Sequence, residues 1–420
     1  MNIRINGTLS GEVTPPPSKS QAHRMLICAA LGNRPCTIAC STLNDDLIAT
    51  TNCLNTLGAH ITYDNGLFNI EPIKIKKNGT LDCGESGSTL RFLLPVAAIL
   101  EADATFVGHG KLPQRPNGAL CEALESHGIT FERHNPEAEL PLTCHGRLRG
   151  GKYTLPGNIS SQYLTGLLFA LPLAQEDSEI EITGMLTSAS YIEMTLDAIS
   201  MAGIKITRQA NTFYIKGGQQ YSLPQKPRIE GDWSSAAFWI VAGVIGEKSV
   251  TVCNMHRASL QGDRHIIEHL RKMGAFIEET ERGIVANPSQ LFGTEIDCTD
   301  TPDLVPILSV AASAALGTTV FTNVGRLRYK ESDRLAAMKS MLTAFGIVSE
   351  IGTDTFAVHG NKSIAMHPIE SFGDHRIAMS AAILSTISQG TTEIKDSGCV
   401  AKSYPRFFED FVSLGGFAQK

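Results

Sequence analysis

The sequence predicts an α/β protein of two domains, each enclosing three buried helices, with one domain assembled from both ends of the chain. Three observations carry that prediction: a length of 420 residues, a segment that recurs six times, and two proline-marked stretches roughly two hundred residues apart. A chain of this length exceeds what one ordinary core encloses. The recurring segment ends in an apolar residue, a glycine and a short apolar alternation: "CLNTLGAHI", "CEALESHGITF", "AISMAGIKI", "HLRKMGAFI", "MLTAFGIVS" and "FVSLGGF". The glycines are Gly58, Gly128, Gly203, Gly274, Gly346 and Gly415, at intervals of 70, 75, 71, 72 and 69. Each follows a helix-period stretch and precedes a strand-like one, as a helix C-cap turning into a strand requires.

Upstream of each copy lies a small polar cluster followed by a long apolar run. The six are "SKSQAHRMLICAA", "ESGSTLRFLLPVAA", "ISSQYLTGLLFALP", "DWSSAAFWIVAG", "TPDLVPILSVAA" and "GDHRIAMSAAIL". A helix apolar on all sides belongs in a core, and Ser, Thr, Asp and Gly cap its first N–H groups. The unit reads as buried helix, strand, amphipathic helix and hairpin, the last exemplified by "IKITRQANTFYIKGG". The sixth copy stops at "GGFAQK" without a hairpin, and the first strand, "NIRING", can supply part of what is missing. The N-terminus then belongs with the later three units. "TPPPSKS" and "LPQKPRIEGDW" are the expected linkers, because proline removes a donor and resists joining a sheet. The expected domains are 1–14 with 229–420, and 15–228.

Composition narrows the function. Hydrophobic content of 42% and charge of 19% are globular values, and a net charge of -6 argues against nucleic acid as the main partner. Ten cysteines at irregular spacings, with no C-x-x-C doublet, suggest reduced packing thiols and neither a zinc site nor a disulfide framework. The opening "MNIRINGTLSGEV" lacks a signal-peptide core, and the apolar runs are shorter than a bilayer span. A soluble, cytoplasmic protein without a membrane partner is expected. No G-x-x-x-x-G-K-[ST], strand-bound G-x-G-x-x-G or G-x-S-x-G is present, so nucleotide hydrolysis, dinucleotide redox chemistry and serine hydrolysis lack their parts.

Buried helices grouped in a domain point their N-termini the same way, and each carries about half a positive charge. The chain adds cations there: Lys19 and Arg24, Arg91, and Arg376 beside His375. Others stand in loop-like segments: Lys111 and Arg115, Arg326, Arg328, Lys330 and Arg334, Lys402 and Arg406. Such a set predicts ligands with more than one anionic group. Few acids sit among them. Asp303 reads as a base or as a plain N-cap, and Glu331 and Asp333 as site residues or as a solvated helix start. Gly87 reads as a turn residue or as space for a ligand against the backbone. His23 and His375 fit caps or core histidines equally well.

"PPPSKSQAHR", "SGSTLRF", "LPQRP", "ISSQYLTGLL", "YIEMT", "RYKESDRLAAM", "GDHRIAM" and "VAKSYPRF" occur in order along nearly the whole chain. Together they resemble the signatures of the 5-enolpyruvylshikimate-3-phosphate synthases, in the enolpyruvyl transferase family. The resemblance implies two domains of three βαβαββ units, six repeats in all, with buried parallel helices and an active site in the interdomain cleft. It implies transfer of the enolpyruvyl group of phosphoenolpyruvate to the 5-hydroxyl of shikimate 3-phosphate by addition and elimination, by a monomer, with no cofactor and no metal. Lys19, Gly87, Arg115 and Lys402 would hold the phosphoenolpyruvate phosphate, and Arg334 and Arg376 its carboxylate. Lys19, Ser20, Arg24, Ser160, Ser161, Gln162, Tyr191, Asp303 and Lys330 would bind shikimate 3-phosphate. Asp303, Glu331 and Lys19 would be catalytic, with Asp303 taking the hydroxyl proton and Glu331 protonating the methylene carbon.

Two positions depart from the family pattern: Glu85 and Arg326 stand where many relatives carry Asn. The herbicide glyphosate, which the resemblance implies as a competitor of phosphoenolpyruvate, would meet the extra charge of Glu85. The rival of the same fold is UDP-N-acetylglucosamine 1-carboxyvinyltransferase, whose mobile loop usually bears a cysteine; the corresponding "GHGKLPQRP" has none. A nucleic-acid clamp built from similar repeats is the rival from another class, and the acidic net charge disfavours it.

Overall fold

The computed structural model describes residues 2–360 and 368–419. The chain divides into two compact units, Met1–Pro17 with Glu230–Lys420, and Ser18–Ile229. Both boundaries fall later than the expected ones after residues 14 and 228. The Asp232 N–H donates to the Pro16 carbonyl at 2.9 Å, and Pro17 bridges Gly231, which keeps the prolines with the first unit.

The chain opens with β1 (Ile3–Asn6) and β2 (Gly11–Val13), then enters the unit Ser18–Ile229. There α1 (Lys19–Ala30), β3 (Cys36–Ala39) and α2 (Asp45–Thr56) lead to the hairpin β4 (His60–Asp64) and β5 (Leu67–Glu71). The second repeat is β6 (Gly79–Asp82), α3 (Gly87–Ile99), β7 (Ala104–Val107), α4 (Gly118–Glu125), β8 (Ile129–Arg133) and β9 (Leu142–Gly146). Its sheet has the order β6-β7-β9-β8, with β6 and β7 parallel and the other pairs antiparallel. The third repeats that order with β10 (Gly151–Pro156), α5 (Ser161–Ala170), β11 (Ser178–Thr183), α6 (Ala189–Met201), β12 (Ile206–Gln209) and β13 (Thr212–Ile215). The first sheet, β3-β5-β4, lacks a leading strand. The linker runs beside β3 instead: Thr37 N–H donates to the Gln225 carbonyl at 3.0 Å, and Ala39 forms a parallel bridge with Arg228. Its prolines therefore limit the linker's pairing with the sheet without preventing it.

The other unit continues from β2. It contains α7 (Trp233–Ile245), β14 (Val250–Cys253), α8 (Ile266–Lys272), β15 (Phe276–Glu279) and β16 (Gly283–Asn287), and β2 lies parallel to β14. The whole unit Ser18–Ile229 is thus inserted between the first strand and the first helix of one repeat. Next come β17 (Glu295–Asp297), α9 (Val305–Ser313), β18 (Thr318–Thr322), α10 (Arg334–Ala344), β19 (Ser349–Ile351) and β20 (Thr355–His359). The last repeat is β21 (Ile369–Glu370), α11 (His375–Ser385), β22 (Thr392–Lys395), α12 (Phe407–Ser413) and β23 (Phe417–Gln419). β1 completes its sheet, pairing antiparallel with β22 and β23 in the order β21-β22-β1-β23.

Each unit has its own apolar core. All eleven residues of α11 and eleven of the thirteen in α7 are buried, and neither has a solvent face for charge. The six recurring glycines all have positive φ, between 74° and 114°. An L side chain is strained there, which is why the same residue closes each amphipathic helix. Among the described residues no helix is long and apolar enough to cross a membrane.

Candidate functional site

In the unit Met1–Pro17 with Glu230–Lys420, charged side chains gather where α9, α10 and α11 begin. Asp303 lies in the single turn Pro302–Leu304 ahead of α9, whose start has no side-chain cap. The plain N-cap reading of Asp303 is therefore excluded. Its Oδ1 accepts from Arg334 Nη1 at 2.9 Å and Lys330 Nζ at 3.4 Å, and its Oδ2 from Arg376 Nη2 at 3.2 Å. Burial works to raise the Asp303 carboxyl, but Arg376, Lys330 and Arg334 outweigh it and hold the group well below the usual carboxylate range.

Arg334, the first residue of α10, is 1% exposed and spends each edge of its fork on a different acid. Nε donates to Asp374 Oδ2 at 3.0 Å, Nη1 to Asp303 at 2.9 Å, and Nη2 to Glu331 Oε2 at 2.6 Å. Burial would lower its pKa; Asp374, Glu331 and Asp303 raise it instead. Glu331 also lies 3.9 Å from Lys402 Nζ, a side chain 7% exposed. Asp333, read with Glu331 as a possible solvated helix start, does cap α10 by accepting from Ala336 N–H at 3.1 Å. Arg326 donates to the carbonyls of Cys298 and Thr299, tying down the segment that leads to Asp303.

Asp374 is fully buried and caps α11, accepting from Arg376 N–H at 2.9 Å through the oxygen not used by Arg334. Ser332 Oγ donates to its other oxygen at 3.1 Å. Asp263 is 3% exposed and accepts from Ser234 Oγ at the start of α7. Burial first, then the charge of Asp303, pushes its carboxyl up to about 6, against the pull of Arg376. Burial lowers the Lys330 ammonium despite Asp303.

The unit Ser18–Ile229 assembles a second constellation at the starts of α1, α2, α3 and α5. Ser18 caps α1 and places Lys19 one residue later, where Lys19 Nζ meets Asp46 Oδ2 at 2.7 Å. Arg24 is 2% exposed: Nε donates to Thr195 Oγ1 at 2.9 Å, Nη1 to the Ser20 carbonyl at 2.6 Å, and Nη2 to the Tyr191 carbonyl at 2.8 Å. Burial brings its pKa down to about 10. Gly87 opens α3, and a Cβ there would lie 2.9 to 3.0 Å from three atoms of the Arg115 guanidinium. The missing side chain lets the Arg115 guanidinium lie against the backbone at Gly87. Ser160 caps α5, next to the buried Ser161. Gln162 bridges helices, accepting from Arg91 Nη1 at 2.6 Å and donating to Ser88 Oγ at 3.0 Å. The Glu85 carboxylate lies against Gly110, in the space a Cβ would take there.

The structure thus brings Asp303, Glu331, Lys330, Arg334, Arg376 and Lys402 together in one unit. In the other it sets Lys19, Ser20, Arg24, Tyr191, Gly87, Arg115 and Ser160–Gln162 around converging helix starts. Three acids of these clusters were not read from the sequence as site residues: Asp46, Asp263 and Asp374. Only Asp374 carried a signal, since it precedes an apolar run as an N-cap should. Buried arginines that face carboxylates on one side can exchange them for a ligand's carboxylate or phosphate, which offers the same bidentate geometry. Among the described residues no group of three or more His, Cys, Asp or Glu side chains is placed to hold a metal ion.

Comparison with known proteins finds relatives over nearly the whole chain. Residues 3–411 match the family model of EPSP synthase (3-phosphoshikimate 1-carboxyvinyltransferase). A 3-phosphoshikimate 1-carboxyvinyltransferase of Clostridium kluyveri is 43% identical over 99% of this chain and 97% of its own. One from Clostridium botulinum is 42% identical over 98% and 96%. The solved EPSP synthase of Acinetobacter baumannii superposes with a TM-score of 0.82 at 25% identity, covering 100% of both chains.

Proposed function

Since the chain belongs to the EPSP synthase (3-phosphoshikimate 1-carboxyvinyltransferase) family, we propose that its two charged constellations hold the two substrates of that reaction, phosphoenolpyruvate and shikimate 3-phosphate. The observation that carries this assignment is the cluster in which Arg334 and Arg376 converge on Asp303 while Arg334 also grips Glu331. Two arginines and two acids in contact can recognise a carboxylate and move two protons.

Arg334 and Arg376 take the phosphoenolpyruvate carboxylate; Lys19, Arg115 and Lys402, with the backbone at Gly87, take its phosphate. Lys19, Ser20, Arg24, Ser160, Ser161, Gln162 and Tyr191 bind shikimate 3-phosphate, with Lys330 beside Asp303. A carboxylate held far down in pKa is a weak base. Substrate binding resolves this, because the incoming carboxylate draws Arg334 and Arg376 away from Asp303 and lets its pKa rise. Asp303 then accepts the 5-hydroxyl proton as that oxygen bonds to C2 of phosphoenolpyruvate, and Glu331 protonates C3. In the elimination Glu331 takes a proton back from C3, the C2–O bond to phosphate breaks, Asp303 returns its proton to the departing phosphate, and the cations stabilise that group. Lys19 assists that departure. The reading takes the protein as a cytoplasmic monomer without a nucleic-acid or membrane partner. The net charge of -6 supports the first exclusion.

Phosphate release from phosphoenolpyruvate, measured with shikimate 3-phosphate and separately with UDP-N-acetylglucosamine, tests the assignment. Release only with the shikimate ester is expected. Release with neither acceptor, or only with the sugar nucleotide, contradicts it.

A further inference from the structure

A chain of buried polar contacts joins the starts of α1, α2 and α3 in the unit Ser18–Ile229, beside the Lys19–Asp46 ion pair. His23 Nδ1 lies 2.8 Å from Thr50 Oγ1, Thr50 Oγ1 lies 2.7 Å from Thr89 Oγ1, and Thr89 Oγ1 donates to Ser86 Oγ at 2.8 Å. Ser86 Oγ caps α3, accepting from Thr89 N–H at 3.2 Å, one residue before Gly87. Lys19 Nζ meets Asp46 Oδ2 at 2.7 Å. Lys19 and His23 stand four residues apart on α1, and Asp46 and Thr50 four apart on α2, so each pair shares one face of its helix. His23, Thr50, Thr89 and Ser86 are each at most 1% exposed.

Hydroxyls buried at a helix junction carry a desolvation cost unless they are paired, so packing alone would favour valine. The chain also has a direction. His23 Nε2 has no partner among the described residues, and a buried lone pair is tolerated better than a buried N–H. Nδ1 therefore carries the hydrogen and donates to Thr50. Thr50 then donates to Thr89, and Thr89 to Ser86. Burial pushes the His23 imidazole down to about 3, with Asp46 opposing and Lys19 and Arg24 adding to the fall, so the ring stays neutral and the direction holds across the working pH range.

We propose that Thr50 is a positioning residue for the anion site: its hydroxyl ties α1, through His23, to α3, through Thr89, and so fixes the Lys19 ammonium relative to the helix start at Gly87. It touches no substrate and acts through Lys19 and α3. This inference rests on the reading of Lys19 and Gly87 as phosphate-binding groups.

Thr50→Val keeps the volume and removes the hydroxyl; Thr50→Ser keeps the hydroxyl and removes the methyl. In steady-state phosphate release, Thr50→Val is expected to lower kcat/KM for phosphoenolpyruvate about tenfold, the loss of roughly one hydrogen bond's worth of alignment. Thr50→Ser is expected to stay within about twofold of the parent. A merely space-filling Thr50 gives the opposite order, and that order, or equal losses in both variants, overturns the proposal. If Thr50→Val does not fold, the same Val and Ser pair at Thr89 reads the adjoining bond with the same two outcomes. A second readout needs no activity. The His23 Nδ1 proton should give a slowly exchanging NMR resonance that survives Thr50→Ser and vanishes in Thr50→Val; its absence from the parent protein overturns the hydrogen-bonded chain itself. An inactive parent with that resonance intact would instead refute the assigned reaction.

Discussion

Asp374→Asn replaces one oxygen of a fully buried carboxylate by an amide and removes its charge. The carboxylate has three obligations: the Arg376 N–H at 2.9 Å, the Arg334 Nε–H at 3.0 Å and the Ser332 hydroxyl at 3.1 Å. Asparagine can keep its single oxygen on the Arg376 N–H, and then its NH2 faces the Arg334 Nε–H, donor against donor. The serine hydroxyl can turn to accept, but the guanidinium cannot. Flipped, the amide satisfies Arg334 and leaves α11 uncapped. Either arrangement forfeits a charge-assisted bond worth about 1.5–3 kcal/mol, and the alternatives add about 1 kcal/mol for a lost cap or an unpaired buried donor. A total near 3 kcal/mol corresponds to a fall of about 6–12 °C in the unfolding temperature of a unit this size. Differential scanning calorimetry reads the shift directly. Since Arg334 loses one of the three acids that aim it, KM for phosphoenolpyruvate should rise in the variant fraction that remains folded. A shift below about 2 °C together with an unchanged KM would refute the view that Asp374 orients Arg334.

Two further outcomes follow from the surroundings of Gly87 and Asp263. Gly87→Ala puts a methyl within 2.9–3.0 Å of the Arg115 guanidinium, the mobile end of a long side chain. The arginine is expected to move and KM for phosphoenolpyruvate to rise, with the unfolding temperature little changed; an unchanged KM in kinetic assays would show that Arg115 is not a phosphate ligand. Burial first, then the like charges of Asp303 and Asp232, push the folded Asp263 carboxyl up to about 6 from an ordinary 3.8, with Arg376 and the Ser234 hydroxyl opposing. Between those values the folded state keeps a proton that the unfolded chain has released, so this group makes stability fall as pH rises through the window and level off above it. Urea unfolding of Asp263→Asn at pH 4.5, inside that window, and at pH 7.5, above it, should show a gain over the parent that is larger at the higher pH (at roughly these pH values); a pH-independent difference would contradict it.

How far the sequence could be read depended on whether the cause was local. The six glycines could be identified because each must adopt positive φ where a helix turns into a strand, a demand the chain makes wherever the element recurs. β1 could be placed with the last repeat because that repeat visibly lacked a strand. The helix starts announced themselves through Ser18, Ser86, Ser160, Asp232 and Asp374, which all cap by side chain. Nothing local linked Lys19 to Asp46 or Arg334 to Asp374, which lie 27 and 40 residues apart and meet only because three helix starts converge. Gly87 shows the same limit: its lack of a side chain was legible, but the guanidinium against it, that of Arg115, comes from a different segment. The linker prolines were placed with the wrong unit because the partner of the Pro16 carbonyl is Asp232, on the far side of the inserted residues.

Addition and elimination leave an isotopic trace. Protonation of C3 turns the methylene of phosphoenolpyruvate into a methyl group, which then loses one of three hydrogens. With both substrates in D2O, mass spectrometry and NMR should find deuterium in the methylene of the enolpyruvyl product, and in recovered phosphoenolpyruvate wherever the addition reverses. Phosphate release with no deuterium at that carbon would contradict carbon protonation by Glu331 and the mechanism built on it.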